Sequence, residues 1–212
     1  METEGTRVVS TDEMTGVQAL ERKYPDKPPV PGMSAKKEFE YIRHGTTSLI
    51  GFFNVATGNL YAPYLNQTRN EEDFCRAVSE ILITDLQAKW IFVSDGLNVH
   101  KSESLVRLVA KACDIDIDLG KKGKKGILKN METRTEFLHN PDHKVRFVYT
   151  PKHSSWMNQI EIWFGIIRRK LLNHKSYSSV DELKQSIRRF IEQYNLTAHP
   201  FKWTYAGVPL TV

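Results

Sequence analysis

Two short segments of almost continuous apolar residues constrain the fold of this chain most. They are KWIFVSD at 89–95 and KVRFVYT at 144–150. Runs of this kind predict strands that are buried on both faces of a sheet, as in α/β proteins whose helices cover both sides. The segment SESLVRLVAKAC (102–113) follows the first run and has apolar residues at helical spacing. Together these segments predict a sheet core with helices packed against it.

Further strands are predicted upstream of these runs. The segment TRVVST (6–11) predicts a short strand that ends at the Asp-Glu pair that follows it. Residues 46–65 contain two β-rich runs around ATGN, which predicts a hairpin that turns at Gly58. Residues 16–41 include four prolines and favour an irregular excursion.

Three further helices are predicted from apolar spacing and capping residues, at 70–86, at roughly 155–173 and at 179–195. Asn70 and Ser179 are the expected N-caps. Strands come first, then strands alternate with helices, and helices come last. This order predicts a single α/β domain with a mixed sheet.

Composition limits the classes of function. A chain of 212 residues that is 40% hydrophobic suits one domain with a full core. Cys75 and Cys113 are far apart and form no CxxC pair, which argues against a disulfide framework or a zinc knuckle and favours the reducing cytoplasm. No apolar run approaches the roughly 20 residues of a membrane span, so we expect no membrane partner.

Basic residues cluster in a way that favours a polyanionic partner. The net charge is +5, and the loop GKKGKKG (120–126) places four lysines among three glycines. Each cluster alone is typical of a solvated surface, but together they favour phosphate contacts. The candidate DNA contacts are Lys121, Lys122, Lys124, Lys125, Lys152, His153, Arg168 and Arg169.

Three acidic residues occupy positions where α/β proteins bind ligands. Asp12 follows the first predicted strand, Asp95 ends KWIFVSD, and Glu161 lies near the start of a long helix. Ligand sites gather where strand ends, loops and helix termini converge. Two hard divalent cations about 3.5–4 Å apart can hold a scissile phosphate, and they require oxygen ligands. Three carboxylates from different elements would meet that need.

Each acid also has an ordinary structural explanation. Asp12 could be a turn residue at the end of a strand, and Asp95 before a glycine favours a tight reversal. Glu161 could complete a capping box if Asn158 is the N-cap. Taken singly, each residue fits its structural role better than a catalytic one.

The residues around Glu161 favour a binding role. The helix has an apolar stripe formed by Trp156, Ile160, Trp163, Ile167 and Leu171. Asn158, Glu161, Gly165 and Arg168 fall on the opposite stripe. Gly165 should leave the surface beside the carboxylate bare for a ligand, at a cost of about 1 kcal/mol in helix propensity.

Four segments carry a resemblance to a known family. They are STDEMTGVQALER, SDGLNVHKS, VRFVYTPKHSSWMNQIEIWFGIIRRKLL and SSVDELKQSIRRFIEQYNLTAHPFKWTY. They resemble the catalytic domain of bacterial insertion-sequence transposases in the mariner-like DDE superfamily, from about residue 7 to 206.

The resemblance implies a ribonuclease-H-like fold, with a mixed sheet flanked by helices over about 6–174 and a C-terminal helix and tail over 175–212. It implies that Asp12, Asp95 and Glu161 bind Mg²⁺, with two ions and with Mn²⁺ as a substitute. The residues expected to support this triad are Asn98, His100 and Asn158. His100 could alternatively contact DNA, bias the attacking water, or be an ordinary hydrogen-bonded histidine, and the same options hold for His153.

The implied activity is cleavage at transposon ends followed by strand transfer to target DNA. The implied partners are double-stranded DNA and further copies of the chain, in the bacterial cytoplasm at the nucleoid. Two departures matter: Gly96 stands where the family usually has Asn, and the family's N-terminal helix-turn-helix region is expected to be absent from residues 1–212. They leave two alternatives open, a decayed copy that binds DNA without cutting it and a ribonuclease-H-like nuclease.

Overall fold

The computed structural model describes residues 5–36 and 38–204, which contain a five-stranded sheet. The strands are β1 (Thr6–Arg22), β2 (Tyr41–Asn54), β3 (Tyr64–Asn66), β4 (Lys89–Ser94) and β5 (Val145–Tyr149). Their order is β3-β2-β1-β4-β5, with β1 antiparallel to β2 and parallel to β4. The sheet is therefore mixed, as predicted.

Helices cover both faces of the sheet. They are α1 (Glu71–Leu82), α2 (Glu103–Ala112), α3 (Met131–His139), α4 (Gln159–Ile167) and α5 (Val180–Asn195). Helices α1, α2 and α3 pack on the face that carries Phe52, Phe92 and Phe147. Helices α4 and α5 pack on the other face, against Leu49 and Phe53. The two-sided cover explains why the segments that form β4 and β5 are almost continuously apolar.

The first strand is much longer than predicted. Its parallel pairing with β4 ends at Ser10 opposite Val93, but its antiparallel pairing with β2 continues to Arg22 across two register shifts. The prediction that the strand ends at the Asp-Glu pair is therefore wrong. Asp12 nevertheless lies just beyond the last residue paired with β4, at the edge of the sheet where Asp95 follows that strand.

The predicted irregular excursion is shorter than 16–41, because its two ends belong to β1 and β2. The described residues between them, 23–36 and 38–40, form a ribbon with isolated bridges between Lys27 and Lys36 and between Val30 and Met33. We call it the arm. It exposes the apolar side chains of Tyr24, Val30, Met33 and Phe39.

The hairpin is confirmed, although β2 begins earlier than predicted. Gly58 has φ +81°, and a Cβ there would lie 2.0 Å from the backbone oxygen of His199. The Asn70 and Ser179 caps are confirmed, since their side chains accept hydrogen bonds from the first backbone N–H groups of α1 and α5. Helix α3 was not predicted.

The predicted helix at 155–173 is interrupted. A 3₁₀ turn (Ser155–Met157) precedes α4, and a π turn (Arg168–Leu172) follows it. Ile160, Trp163 and Ile167 are fully buried, which confirms the centre of the apolar stripe, whereas Trp156 is 48% exposed. The 3₁₀ turn changes the direction of the chain, so residues before Gln159 do not continue the faces of α4.

Candidate metal centre

The three predicted acids come from three elements that meet at one edge of the sheet. Asp12 lies on β1, Asp95 directly follows β4, and Glu161 lies in the first turn of α4. The side chain of Asp12 and the charge of Asp95 both act on the pKa of Glu161, and the charge of Asp95 also acts on the pKa of Asp12. The structure thus brings these residues within range of one another.

Burial and mutual repulsion shape the charge of this cluster. Burial raises the pKa of Asp12 to about 7, with the nearby Asp95 adding to the effect and a hydrogen bond from the Glu13 backbone N–H opposing it. Burial also raises the pKa of Glu161, while Arg168 opposes that change. When burial and neighbouring negative charge raise the pKa of acids in this way, a cation placed among them stabilises their ionised form.

Asp95 behaves differently because it has hydrogen-bond donors. Burial raises its pKa, but donors outweigh burial and hold the pKa below its usual value. These donors are His100, whose Nδ1 lies 2.8 Å from Asp95 Oδ1, and the backbone N–H of Leu97 at 3.1 Å. Asp95 is therefore the acid most readily ionised in this cluster.

His100 is completely buried between two carboxylates. Its Nδ1 faces Asp95 and its Nε2 lies 3.0 Å from Glu13 Oε1. Burial lowers the pKa of His100, but the two carboxylates outweigh it and raise the pKa to about 10. The prediction that His100 supports an acidic residue is consistent with this position, whereas a contact with DNA is excluded by burial.

Asn158 links the start of α4 to β1. Its Nδ2 donates to the Thr11 backbone oxygen at 2.9 Å and approaches Asp12 Oδ2 at 3.4 Å. Its Oδ1 accepts a hydrogen bond from the hydroxyl of Ser10, which in turn accepts from the Ile160 N–H at 2.8 Å.

This arrangement corrects two predictions about Asn158. The side chain is fully buried and is not on the polar stripe of the helix. Asn158 is the N-cap of α4, but its side chain makes no capping hydrogen bond, so Glu161 does not complete a capping box. The structural explanation for Glu161 as a capping residue is therefore wrong.

Asn98 and Gly96 lie in the loop after β4. Both are exposed and line an open cleft with Thr68, Arg69 and Asn70. A Cβ at Gly96 would meet only Lys101 Nζ, at 3.6 Å, and the φ of this residue is outside the left-handed region. The loop therefore has room for a side chain at this position.

We expect Gly96→Asn to be tolerated, since exposed substitutions without strain change the free energy of unfolding by about 0.5 kcal/mol or less. Thermal unfolding of the wild-type protein and the variant would check this. A large drop in melting temperature would show that the glycine is structurally required.

The basic candidates are exposed but lie in different places. The lysine loop, Lys121–Lys125, is closed by a bridge between its first and last residues, and Lys122 reaches Glu71 at 3.8 Å. Lys152 and His153 lie in the connection between β5 and α4, where His153 has φ +61°. The two groups therefore belong to different connections of the chain.

Arg168 and Arg169 follow α4 directly. Arg168 is close enough to lower the pKa of Glu161, an interaction that the sequence pattern did not predict. A Cβ at Gly165 would lie 3.2 Å from a guanidinium nitrogen of Arg169. The expectation that Gly165 leaves a bare surface is wrong, because the Arg169 guanidinium covers it.

The donor set suits a hard divalent cation. Asp12, Asp95 and Glu161 supply only oxygen atoms, the ligands that Mg²⁺ and Mn²⁺ prefer. Within residues 5–36 and 38–204, no three His, Cys, Asp or Glu side chains stand as a group that could hold a metal ion. The fit therefore rests on the oxygen donors of the three acids and on the pairwise interactions between them.

The family of this chain is shown by its sequence. A model of the DDE superfamily endonucleases matches residues 7–184, which include all three acids. The chain belongs to the DDE superfamily of endonucleases. No curated protein matches it.

Solved structures of the Mos1 mariner transposase have a similar fold. The Mos1 paired end complex with Mn is 12% identical, with a TM-score of 0.55 over 92% of this chain and 49% of that chain. A pre-cleavage Mos1 transpososome is 11% identical, with a TM-score of 0.50 and the same coverage. These likenesses support the predicted ribonuclease-H-like fold, and this DDE chain spans about half the length of the Mos1 chains.

No described helix is long and apolar enough to cross a membrane.

Proposed function

We propose that this chain is the catalytic domain of a transposase, which cuts DNA at transposon ends and joins the ends to target DNA. One observation carries the proposal: in a member of the DDE superfamily, Asp12, Asp95 and Glu161 come from separate elements and interact at one edge of the sheet. The fold shared with Mos1 transposase complexes supports it. Residues 6–174 would form the catalytic unit, with 175–212 as its C-terminal helix and tail.

The three acids would hold Mg²⁺ or Mn²⁺, with two ions in the active form. Bound there, the ions would neutralise charge on the scissile phosphate and activate the attacking oxygen. Asn158 supports Asp12 and His100 supports Asp95, so the chain fixes its ligands before DNA arrives. Cleavage and joining are both in-line displacements at phosphorus, so one set of residues would serve both.

Basic residues outside the acid cluster would contact the DNA backbone. The exposed lysine loop carries four positive charges, and Lys152, His153, Arg168 and Arg169 flank α4. Phosphate contacts need charge on exposed side chains and carry no sequence information.

Replacing Lys121, Lys122, Lys124 and Lys125 by Gln should weaken binding to DNA of any sequence. Each lost phosphate contact reduces the slope of log affinity against log salt by about 1, so we expect a decrease of up to about 4. Fluorescence anisotropy over a range of salt concentrations would measure it. Lys111→Gln, an exposed lysine on α2, is the control, and an unchanged slope in the quadruple variant would remove the loop from the interface.

The proposed function is tested with the full chain, supercoiled plasmid and an oligonucleotide that carries a labelled free 3′-OH. In Mn²⁺ we expect nicking of the plasmid and covalent transfer of the label to it. Nicking without transfer would favour a nuclease of the same fold. Binding to DNA without either reaction would favour a decayed copy.

We also propose that the chain assembles with further copies of itself on DNA, because joining two ends requires both to be held together. The exposed apolar side chains of the arm offer a surface for such contacts. Light scattering with and without DNA would test the assembly. The corresponding place of action is the bacterial cytoplasm, at the nucleoid.

A further inference from the structure

A buried polar connection joins β1 to the loop after β4. Glu13 Oε1 lies 3.0 Å from His100 Nε2, and His100 Nδ1 lies 2.8 Å from Asp95 Oδ1. The side chains of Glu13 and His100 are 2% and 0% exposed. Burying a carboxylate is costly unless it is paired, so this contact is a specific feature of the site and not a surface ion pair.

The position of Glu13 follows from the geometry of β1. Successive side chains of a strand point to opposite faces, so Glu13 points away from the face where Asp12 meets α4. Glu13 therefore reaches the acid cluster by two indirect routes. Its backbone N–H donates to Asp12 Oδ1 at 2.8 Å, and its side chain reaches Asp95 through His100.

His100 is held from other sides as well. Its ring packs against Phe74 with a centroid distance of 4.5 Å, and its backbone oxygen accepts from the Tyr149 hydroxyl at 2.8 Å. Because the ring is fixed in this way, the position of the Glu13 carboxylate affects the position of the Asp95 carboxylate on its other side. The orientation of the imidazole then depends on a partner at Nε2, and Glu13 is that partner.

We propose that Glu13 is a positioning residue that acts through His100 to hold Asp95 in the orientation that binds a divalent cation. The inference rests on the proposed function, since it assigns a support to the same metal centre. Groups that orient metal ligands in this way typically change metal affinity by about 10- to 100-fold when they are removed. Glu13 itself does not contact the cation or the DNA.

The test is the affinity of the full chain for Mn²⁺ without DNA, measured by isothermal titration calorimetry. We expect Glu13→Leu to bind Mn²⁺ about 10- to 100-fold more weakly. Glu13→Gln should keep most of the affinity, because its amide can still hydrogen-bond with Nε2. Glu13→Asp should lose affinity although it keeps the charge, because its carboxylate is withdrawn by about 1.5 Å.

The matched control is Thr11→Val. Thr11 is buried on the same face of β1, and its hydroxyl has no hydrogen-bond partner among the described residues, so we expect unchanged Mn²⁺ affinity. Circular dichroism shows whether each variant is folded. If Glu13→Leu does not fold, the Mn²⁺ affinity of Glu13→Asp tests the positioning role.

The outcomes separate this inference from the function it rests on. Weaker binding by Glu13→Leu and Glu13→Asp with near-normal binding by Glu13→Gln supports the positioning role. Wild-type affinity in the folded Leu or Asp variant overturns the positioning role and leaves the metal centre intact. A wild-type protein that binds no Mn²⁺ overturns the proposed function, and the positioning role with it.

Discussion

Asp12→Asn, Asp95→Asn and Glu161→Gln should each reduce Mn²⁺-dependent DNA nicking by at least about 100-fold. Each change removes one negative oxygen ligand from the cluster, and losses of comparable charge stabilisation in a preorganised site cost about 10²- to 10³-fold in rate. The substitutions are close to isosteric, so the fold should persist. Plasmid nicking at saturating protein, together with thermal unfolding, would measure both effects.

The three acids should not contribute equally to the stability of the metal-free protein. Asp12 is buried and resists ionisation, whereas Asp95 is held as an anion by His100. Asp12→Asn should therefore not destabilise the metal-free protein at neutral pH.

The control for the nicking experiment is Glu80→Gln, which replaces an exposed acid on α1. Full nicking by the Glu161→Gln protein would remove α4 from the proposed chemistry.

Asn158→Ala should give the second large effect, on stability and activity together. The substitution removes the acceptor of the Ser10 hydroxyl and the donor to the Thr11 backbone oxygen, and losing a buried hydrogen-bond partner costs about 1–3 kcal/mol. For a domain of this size, a loss of about 2 kcal/mol lowers the melting temperature by roughly 4–8 °C. Differential scanning calorimetry would measure the shift.

The effect of Asn158→Ala on nicking should exceed its effect on the folded fraction, because Asn158 also supports Asp12. Asn173→Ala, an exposed asparagine after the π turn, should change neither property. A melting temperature equal to that of the wild type in Asn158→Ala would mean that the link between α4 and β1 contributes little.

The sequence predicted the sheet core from local patterns, whereas the three acids were chosen as a triad by the family resemblance. The continuous apolar runs of β4 and β5 identify buried strands, and Asp95 is placed by the end of its run. Asp12 was expected to follow the first strand, but it lies within β1. Pairing with β4 stops just before it, although β1 itself continues along β2.

The features that were missed depend on contacts between distant segments. Glu13 follows another acidic residue, Asp12, and a pair of acids in sequence predicts an exposed turn. Its side chain is buried only because β1 continues past it and His100 packs against it. Helix α3 shows little periodicity, since only Phe137 and Leu138 are buried, at adjacent positions. Asn158 was expected on the polar stripe because the 3₁₀ turn before α4 has no clear sequence signal.

The central claim is that Asp12, Asp95 and Glu161 jointly bind divalent cations, and diffraction from crystals grown with Mn²⁺ tests it most directly. We expect anomalous peaks within about 2.6 Å of carboxylate oxygens from Asp12 and Asp95, with Glu161 completing the coordination of one ion. Manganese bound only elsewhere, for example at the exposed Asp116 and Asp118, with none between these acids, would contradict the claim.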